Sequence, residues 1–524
     1  MGFDVGWSET GRRSSLDTST SVCVVGCGTM GAGIAEIAAA AGHTTYIVDQ
    51  DAQRVATALA NIRERLARQV AKDRLLPAQA AETASRLRPL TGLAELRYVP
   101  DCGLVIEAIA EDVTAKRQLL AELEGIVDPS CILATNTSSL SITELAATMV
   151  HGRRLVGMHF FNPAPAMRLV EVVSGLETDP TVTQIARSTA AQWGKTPVVV
   201  SSTPGFIVNR IARPFYTEAF RLYEERVSDP VTIDALLRES GGFRMGPFEL
   251  TDLIGQEVNQ AVTLTLWSAY GYDARYRPSL VQQDIVQAGW LGRKSGRGFY
   301  AYSEEATTGT VATLAPGRCP AHVTVRGDVG QLRSILERTG IPVQETHGEG
   351  LVELPNGAVL MTTDGALATA TASRLGRPVA TVDYALDPHT VTRIDVALSD
   401  GADPGLLDDV AGLFAAAGIA TTRVDDTPGL VVARIVALIV DQAADALWHG
   451  IANAEDIDTA MQLATNYPRG PLAWGDEIGP EQTVRLLDNL RDTYGDDRYR
   501  ACPLLRRRAL TGVPLAADRP VRVA

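Results

Sequence analysis

The sequence has few cysteines and no long hydrophobic run. Its six cysteines, scattered over 524 residues, form no paired CxxC spacing, and the N-terminus lacks the apolar segment of a signal peptide. This pattern is typical of reduced thiols in the cytoplasm. The stretch from Leu430 to Val440 is the longest apolar run, but it contains Arg434 and is far shorter than a membrane span. We therefore predict a cytoplasmic protein without membrane insertion.

Positive charge is also in short supply. Lys and Arg total 48 against 62 Asp and Glu, which gives a formal net charge of -14. This balance argues against a surface that binds nucleic-acid phosphates, although it allows a local basic pocket for a small anionic ligand. We expect no nucleic-acid partner, and we assign no metal site.

The composition that is present is that of a soluble enzyme. Apolar residues make up 45% of the chain and charged residues 21%, which are ordinary values for globular proteins. The length exceeds what one hydrophobic core usually supports, so it predicts roughly two to four domains.

A glycine-rich turn follows the first apolar run. "SVCVVG" favours a short strand, and Gly26, Gly28 and Gly31 then precede an alanine-rich helix. In a dinucleotide-binding turn these glycines permit the turn, admit the pyrophosphate and let helix and strand pack closely. The next strand, "TTYIVD", ends in an acid that can bind both ribose hydroxyls and repel a 2′-phosphate; a simple strand-to-helix turn leaves that acid unexplained. We predict NAD as the cofactor, bound by Gly26, Gly28, Thr29, Met30, Gly31 and Asp49.

Strand-like and helix-like segments alternate up to residue 202. One amphipathic helix is predicted from Asp51 to Lys72 and a second through Arg88, and further strands are predicted in "CGLVIEAIAED", "CILATNTSSLSI", "RLVGMHFFNP", "MRLVEVVSG" and "TPVVVS". This alternation predicts an α/β fold with a mostly parallel, doubly wound sheet of the Rossmann type. From residue 203 the apolar periodicity becomes helical, which predicts an all-α domain followed by a linker rich in Thr, Ser and Gly.

The C-terminal part of the chain repeats this helical region. "TPGFIVNRI" at Thr203 returns as "TPGLVVARI" at Thr427, and "GPFELTDLIG" at Gly246 returns as "GPLAWGDEIG" at Gly470, both 224 residues later. Self-similarity of this kind indicates an internal duplication. The segment before the second copy is too short for a full dinucleotide domain and has no GxGxxG, so we expect a reduced α/β remnant there.

Three further blocks carry the candidate catalytic residues. "NTSSL" contains Ser138, "MHFFNPAPAMRLVEVV" contains His159 and Glu171, and "STPGFIVNR" contains Asn209. Oxidation of a secondary alcohol with NAD needs a base for the hydroxyl proton, and a histidine titrates in a suitable range. His159 is the candidate base, and Glu171, expected at the end of the next strand, would hold one imidazole nitrogen.

Simpler interpretations of the same four residues stay open. His159 could be a core residue, and Glu171 could form a salt bridge at a strand end. Ser138 could cap the following helix, and Asn209 could be an amide on a helix surface.

Together with the glycine loop, these blocks closely resemble the L-3-hydroxyacyl-CoA dehydrogenases over roughly residues 20 to 302, and the "HFFNP…E…PGF…NR" combination is far more specific than the loop. The resemblance implies that Ser138 and Asn209 bind the substrate oxygen. It also implies that four residues line the cofactor site and two contact CoA, namely Glu111, Lys116, Asn162 and Lys294 for the cofactor and Arg65 and Lys72 for CoA. A solvated charged helix surface is the alternative for the last two.

The long form with a second helical domain resembles bacterial 3-hydroxybutyryl-CoA and 3-hydroxyadipyl-CoA dehydrogenases. The predicted organisation is a flexible tail (1–19), an NAD-binding Rossmann-type domain (20–202), a helical substrate and dimerisation domain (203–302), a linker (303–322), a reduced α/β segment (323–426), a second, degenerate helical domain (427–513) and a tail (514–524).

We predict that the chain oxidises (S)-3-hydroxyacyl-CoA to 3-oxoacyl-CoA with NAD, in fatty-acid β-oxidation or a related catabolism of CoA thioesters. The alternatives are an NAD-dependent dehydrogenase of a small hydroxy acid without CoA, and a catalytically retired dinucleotide-binding protein. Acyl-chain specificity depends on a few side chains that the sequence alone does not order in space.

The second copy has lost the catalytic set. It has Ala433 where the first copy has Asn209, Asp395 in place of Glu171, and Asp383 near the position of His159. We therefore expect one active site per chain, and either a homo-oligomer or an intramolecular pseudo-dimer of the two helical domains.

Overall fold

The computed structural model describes residues 15–303 and 309–517. The chain forms two compact units. The first contains the chain up to Val208 together with residues 450–464, and the second contains residues 209–449 and the chain from Thr465 onward. Each unit is built around a β-sheet of its own, and each is described separately below.

The first unit contains an eight-stranded sheet flanked by helices. Its strands are β1 (Ser21–Val25), β2 (Thr45–Val48), β3 (Leu87–Pro89), β4 (Cys102–Glu107), β5 (Ile132–Thr135), β6 (Leu155–Phe160), β7 (Leu169–Ser174) and β8 (Thr196–Ser201). Its first six helices are α1 (Thr29–Ala40), α2 (Ala52–Ala71), α3 (Pro77–Arg86), α4 (Val113–Ile126), α5 (Ile142–Ala146) and α6 (Pro180–Gln192).

The strand order is β3-β2-β1-β4-β5-β6-β7-β8. Neighbouring strands are parallel except for β6 and β7, which are antiparallel. Successive strands are added on one side of β1 as far as β3 and on the other side from β4 to β8, as in a doubly wound fold. The predicted Rossmann-type sheet is confirmed.

Helix α2 shows why the predicted amphipathic segment folds as it does. The side chain of Asp51 accepts a hydrogen bond from the amide of Gln53 and caps the helix. The buried residues recur every three or four positions, which places them on one face: Val55, Ala58, Leu59, Ile62 and Leu66. The second predicted helix ends two residues early, because Leu87 is buried and begins the short strand β3, which pairs with β2.

The second unit contains a seven-stranded sheet and most of the helices. Its strands are β9 (Val323–Arg326), β10 (Val343–Thr346), β11 (Leu351–Glu353), β12 (Val359–Thr362), β13 (Val379–Val382), β14 (Arg393–Leu398) and β15 (Ala420–Arg423), in the order β10-β9-β11-β12-β13-β14-β15. The sheet mixes parallel and antiparallel pairs. The predicted reduced α/β segment is thus confirmed.

In the sequence, the remaining helices come before, between and after the strands of this sheet. They are α7 (Val208–Ile211), α8 (Arg213–Glu224), α9 (Pro230–Glu239), α10 (Pro247–Ile254), α11 (Gln256–Ala269), α12 (Leu280–Gln287), α13 (Gln331–Thr339), α14 (Ala368–Leu375), α15 (Gly405–Ala416), α16 (Val432–Trp448), α17 (Ala454–Thr465), α18 (Pro471–Ile478), α19 (Pro480–Tyr494) and α20 (Pro503–Thr511). The two predicted helical regions are therefore present. Nearly all of α17 belongs to the first unit.

In the second unit the two copies of the helical region pack against each other, with α8 against α16. Arg434 of α16 is fully buried, and its guanidinium contacts Glu218 at 2.6 Å and Glu225 at 2.9 Å. At the equivalent position of the first copy, Arg210 contacts Asp445 at 2.5 Å. Other contacts are reciprocal: Tyr499 with Glu218 and Tyr276 with Gln442, and Asp273 with Arg500 and Asp496 with Arg277.

The described parts of the two predicted tails are packed, which differs from the flexible tail expected over residues 1–19. Leu16 is buried in the core of the first unit, and its amide donates to the hydroxyl of Thr189 at 3.2 Å. Leu515 is fully buried, and its amide donates to Asp476 at 2.5 Å. Residues 1–14 and 518–524 of the predicted tails, and 304–308 of the predicted linker, lie outside the described residues.

Candidate active site

The glycine loop lies between β1 and α1, as the sequence predicts. Gly26 has a φ of +97°, a conformation that side chains with a Cβ rarely adopt. A Cβ on Gly31 would collide with the carbonyl oxygen of Gly26, so this glycine allows helix and turn to touch. Among the described residues no atom lies within 4 Å of the Cβ position of Gly28, so the backbone there is open to a ligand. Thr29 and Met30 form the first turn of α1.

Asp49 lies beside this loop. It directly follows β2, and its carboxylate accepts hydrogen bonds from the amides of Cys27 (2.8 Å) and Asp51 (3.1 Å). The acid and the glycines therefore meet at the carboxyl ends of β1 and β2, where doubly wound folds bind their ligands. An open backbone at a helix N-terminus and a neighbouring carboxylate fit the pyrophosphate and ribose of NAD.

His159 and Glu171 form a buried pair across two strands. They are direct partners in the antiparallel ladder of β6 and β7, and His159 Nδ1 lies 2.6 Å from Glu171 Oε2. His159 is 6% exposed and Glu171 is fully buried. A carboxylate on Nδ1 favours the tautomer with its proton there, which leaves the Nε2 lone pair to act as a base.

The position of Glu171 differs from the predicted strand end. It lies within β7, because the antiparallel pairing of β6 and β7 sets it directly opposite His159. Its second oxygen, Oε1, accepts hydrogen bonds from the amides of Ile207 (2.9 Å) and Val208 (3.1 Å). The same carboxylate thus holds the imidazole and the turn that immediately precedes Asn209 in the chain.

Ser138 lies in the loop after β5, which is fastened to Glu111. Glu111 Oε1 accepts hydrogen bonds from the hydroxyl of Thr137 (2.6 Å) and from the amides of Ser138 (2.9 Å) and Ser139 (3.2 Å). Burial acts to raise the pKa of Glu111, but the Thr137 hydroxyl, the nearby charge of Lys116 and the Ser138 amide outweigh it and leave the pKa below its usual value. Glu111 is therefore ionised at neutral pH.

Ser138 does not cap the next helix. The cap of α5 is Ser141, whose side chain accepts a hydrogen bond from the amide of Glu144 at 3.2 Å. The hydroxyl of Ser138 lies 3.4 Å from Glu111 Oε1.

Lys116 is almost completely buried. It is 1% exposed, and its ammonium donates to both carboxylate oxygens of Glu107 at 2.9 and 2.8 Å. It also lies 3.5 Å from Glu111 Oε2. The structure therefore brings Lys116 and Glu111 together, and their place in the cofactor site stays a prediction.

Two polar residues of this region have no counterpart in the sequence prediction. Glu107 is fully buried at the end of β4, and Asn136 accepts a hydrogen bond from the amide of Phe160 at 2.9 Å. Asn136 therefore ties the Ser138 loop to the strand of His159. A signal for Glu107 was available, because an acid inside the apolar run "LVIEAIA" is rare unless it is paired.

Three further residues were predicted to bind the cofactor or the substrate, and these roles stay predictions. Asn162 is exposed just after β6. Asn209 in α7 and Lys294 both belong to the second unit. The side-chain ammonium of Lys294 contacts Glu257, and the backbone oxygen of Asn209 accepts a hydrogen bond from Arg213 at 2.8 Å.

The two predicted CoA contacts both lie on or next to α2. Arg65 is partly buried and contacts Glu36 of α1 at 2.7 Å, whereas Lys72 is exposed at the end of the helix. A cavity of about 630 Å³ lies between α1, α2 and the turns around residues 165 and 194, and other residues than these two line it. Its lining includes Glu36, Leu66, Gln69, Pro165, Trp193 and Lys195.

Within residues 15–303 and 309–517, no group of three or more His, Cys, Asp and Glu side chains could hold a metal ion. None of the helices in this part of the chain has the length and apolar character required to cross a membrane.

Comparison with known proteins identifies the same parts of the chain. Residues 21–203 match the NAD binding domain of 3-hydroxyacyl-CoA dehydrogenase, and residues 205–302 and 429–515 both match its C-terminal domain. Residues 360–428 match the reduced Rossmann-fold domain of 3-hydroxybutyryl-CoA dehydrogenase. The two C-terminal matches confirm the internal duplication.

Individual relatives cover either nearly the whole chain or about half of it. A 3-hydroxyadipyl-CoA dehydrogenase of Escherichia coli K12 is 42% identical over 94% of this chain and 97% of its own length. A 3-hydroxybutyryl-CoA dehydrogenase of Bradyrhizobium diazoefficiens is 39% identical over 54% of this chain and 94% of its own length.

Among solved structures, a 3-hydroxybutyryl-CoA dehydrogenase of Escherichia coli K12 superimposes with a TM-score of 0.86. It is 42% identical and covers 94% of this chain and 99% of its own. Near-complete coverage in both directions, together with the family matches above, leaves one assignment. The chain belongs to the 3-hydroxyacyl-CoA dehydrogenase family, in the long form with a second helical region.

Proposed function

We propose that the protein is an NAD-dependent oxidoreductase that converts (S)-3-hydroxyacyl-CoA to 3-oxoacyl-CoA, in fatty-acid β-oxidation or a related breakdown of CoA thioesters. The observation that carries this proposal is the buried His159–Glu171 pair in the unit that also holds the glycine loop and Asp49. NAD, when bound, supplies the acceptor for the hydride that leaves the C3 carbon.

The chain's own residues supply the proton chemistry. His159 Nε2 takes the proton of the C3 hydroxyl, and the imidazolium that forms donates its Nδ1–H to Glu171 Oε2, 2.6 Å away. Because Glu171 is buried beside the imidazole, its carboxyl group stabilises that positive charge more effectively than it would in water. Ser138 and Asn209 donate to or accept from the substrate oxygen, in line with the family resemblance.

The test is replacement of His159 by Gln. We expect His159→Gln to lower the rate of NAD reduction with 3-hydroxybutyryl-CoA by several orders of magnitude, since no other group replaces the base, while the Kd for NAD changes little. His151→Gln is the matched control, because His151 is exposed in the same unit. A His159→Gln protein with near wild-type turnover would overturn the mechanism.

Two comparisons separate the alternatives. Turnover of the free 3-hydroxy acid at the same rate as its CoA ester would favour a dehydrogenase of small hydroxy acids. NAD binding without turnover of any 3-hydroxyacyl-CoA from short to long and dicarboxylic chains would favour a retired dinucleotide-binding protein. The same panel of substrates measures the acyl-chain preference.

For the CoA portion we propose the surface along α2. Arg65 and Lys72 place positive charge there, and the adjoining cavity of about 630 Å³ offers apolar and polar walls. Lys72→Ala is expected to raise the KM for the acyl-CoA several-fold with little change in kcat, because it removes an interaction made equally in ground and transition states.

We also propose that the two helical regions act as an internal pseudo-dimer. A two-fold interface uses each contact twice, with the roles of the two surfaces exchanged. The exchanged pairs Asp273 with Arg500 and Asp496 with Arg277 follow this rule. The proposal places one catalytic set in each pseudo-dimer, because the second copy has no equivalent of His159 or Asn209.

A further inference from the structure

The pair of Glu107 and Lys116 is the most buried ion pair of the first unit. Lys116 is 1% exposed and Glu107 is fully buried. Burying both charges costs desolvation that their attraction offsets only in part, so such a pair is weak evidence for stability alone. Neither group is placed to react, which raises the question of what the pair holds in position.

Two routes lead from Glu107 to the loop that carries Ser138. In the first, the ammonium of Lys116 joins Glu107 to Glu111, at 2.8 and 3.5 Å, and Glu111 accepts the amides of Ser138 and Ser139.

In the second route, the hydroxyl of Thr135 donates to Glu107 and accepts the amide of Thr137 at 3.2 Å. Thr137 then donates its own hydroxyl to Glu111 at 2.6 Å. The two routes therefore close a ring of hydrogen bonds around the start of the loop.

We infer that Glu107 is a positioning residue for the reaction, which acts through Lys116 and Glu111 to fix the place of Ser138. This inference rests on the proposed function, in which Ser138 binds the substrate oxygen. Glu107 itself touches neither substrate nor cofactor in this scheme.

The charge balance explains why a neutral residue cannot replace Glu107. With Gln at this position, the Lys116 ammonium keeps Glu111 as its acidic partner and moves toward it. It then pulls on Glu111 through Oε2 and shifts Oε1, the oxygen that accepts the amides of Ser138 and Ser139. The loop loses its fixed position, and displacements of about 1 Å at a reacting group cost up to roughly 100-fold in rate.

The test is a double-mutant cycle of Glu107→Gln and Ser138→Ala. If Glu107 acts through Ser138, each single variant lowers kcat/KM for the acyl-CoA about 10- to 100-fold, and the double variant matches Ser138→Ala within about threefold. If the two losses multiply instead, Glu107 acts independently of Ser138 and the inference is overturned.

Thr135→Val provides a second variant that leaves the ion pair intact. It breaks only the second route, so we expect a smaller loss of kcat/KM, about three- to tenfold, at a nearly unchanged Tm. The inference is overturned if Thr135→Val keeps the wild-type kcat/KM and the losses of kcat/KM in Glu107→Gln and Ser138→Ala multiply in the double variant.

The control for general destabilisation is Arg154→Met. Arg154 is equally buried in the first unit and donates to the carbonyl oxygens of Asp128 (2.8 Å) and Glu124 (3.1 Å), but it contacts neither Glu107 nor the Ser138 loop. It should lower the Tm and leave kcat/KM within about threefold of wild type. A loss of kcat/KM in Arg154→Met as large as that in Glu107→Gln would show that both act through stability and would overturn the inference.

Hydrogen exchange separates this inference from the proposed function. In Glu107→Gln we expect faster exchange of the Ser138 and Ser139 amides than in wild type, with the amides of β4 unchanged. This readout needs no substrate. A wild-type protein that oxidises no 3-hydroxyacyl-CoA would refute the proposed function, whereas unchanged exchange at Ser138 and Ser139 would refute the positioning role.

Discussion

In the second copy two aspartates, Asp383 and Asp395, stand in place of the candidate catalytic pair of the first copy. They occupy the positions of His159 and Glu171 in the second copy, 224 residues later, and the amide of Asp383 donates to the carbonyl oxygen of Asp395 at 3.2 Å. Both carboxyl groups are fully buried. Asp383 accepts the amides of Val431 (2.8 Å) and Ala433 (2.9 Å), so it anchors the start of α16 as Glu171 anchors the start of α7.

The two acids differ in how far their pKa values are raised. Burial raises the pKa of Asp383, and the amides of Ala433 and Val432 act against that rise because they favour the ionised form. Burial, and then the charge of Asp383, raise the pKa of Asp395 well above its usual value. The neutral form is therefore favoured more strongly at Asp395 than at Asp383.

This difference predicts opposite outcomes for two equal substitutions. Asp395→Asn imitates the neutral acid, so we expect its stability at pH 7 to lie within about 1 kcal/mol of wild type. Asp383→Asn places an amide against backbone donors and should cost about 3 kcal/mol. Thermal unfolding of both variants measures the effect, and a larger loss in Asp395→Asn than in Asp383→Asn would contradict it.

The pH dependence has a defined sign. Because the pKa of Asp395 is raised in the folded chain, the stability that its neutral form contributes is complete below the pKa of an unfolded aspartate, about 4. It is lost as the pH rises through the folded value. The Tm of wild type should therefore fall more steeply toward alkaline pH than the Tm of Asp395→Asn.

Predictions from the sequence at this scale succeeded where a residue had a local reason for its place. Gly26 needs its positive φ, and Asp49 follows a strand next to the loop. The role of Glu107 was not predicted, because its partners Lys116 and Thr135 come from different elements that only the folded sheet brings together. The suggested cap at Ser138 was wrong for a similar reason, since the amide of Ser138 bonds to Glu111, 27 residues away.

At the scale of elements, the contact of α8 with α16 depends on one buried arginine. Arg434 is fully buried and forms ion pairs with Glu218 and Glu225. Its counterpart Arg210 forms an ion pair with Asp445, which also contacts Arg275 at 3.3 Å. Burial acts to raise the pKa of Glu218, but Arg434 and then Arg498 lower it to about 2. Glu218 is thus a buried charge that relies on its cations.

We expect Arg434→Met to cost about 3–5 kcal/mol, because two acids lose a cation: Glu218 keeps only Arg498, and Glu225 loses Arg434 as well. Arg210→Met is the matched control and should cost less, since it takes a cation from Asp445 alone, which retains Arg275. Denaturant unfolding of the two variants gives the comparison, and equal losses would count against this account. Because the lowered pKa of Glu218 stabilises the fold above pH 4 and loses its effect toward pH 2, Arg434→Met should also weaken the dependence of stability on acid.

The same scale explains which elements could be predicted. Helix α2 has a regular apolar face and an Asp cap, and its predicted bounds agree with the structure. Strand β3 is three residues long and follows a helix directly, so its pairing with β2 rather than its own sequence determines it. The direction of β7 was also hidden, because antiparallel pairing with β6 follows from the fold and moved Glu171 from the predicted strand end to mid-strand.

The whole molecule raises the question of why one chain keeps a second helical region without a catalytic set. The first copy is complementary to itself at this interface. In this chain Glu218 contacts Arg434 and Asp273 contacts Arg500. If two first copies paired in the same way, Glu218 of one would contact Arg210 of the other, and Asp273 of one would contact Arg277 of the other. The Bradyrhizobium relative matches 54% of this chain over 94% of its own length.

We therefore expect residues 1–302, expressed alone, to form a homodimer in which Asp273 of one subunit pairs with Arg277 of the partner subunit. Light scattering should give twice the mass of the truncated chain, and Asp273→Arg in this chain should shift it toward monomer, since it sets like charges against each other twice in a two-fold interface. A soluble, folded monomer of residues 1–302 would contradict the prediction. In that case the second copy would stabilise the first through contacts that another first copy cannot make, such as the pairing of Arg210 with Asp445.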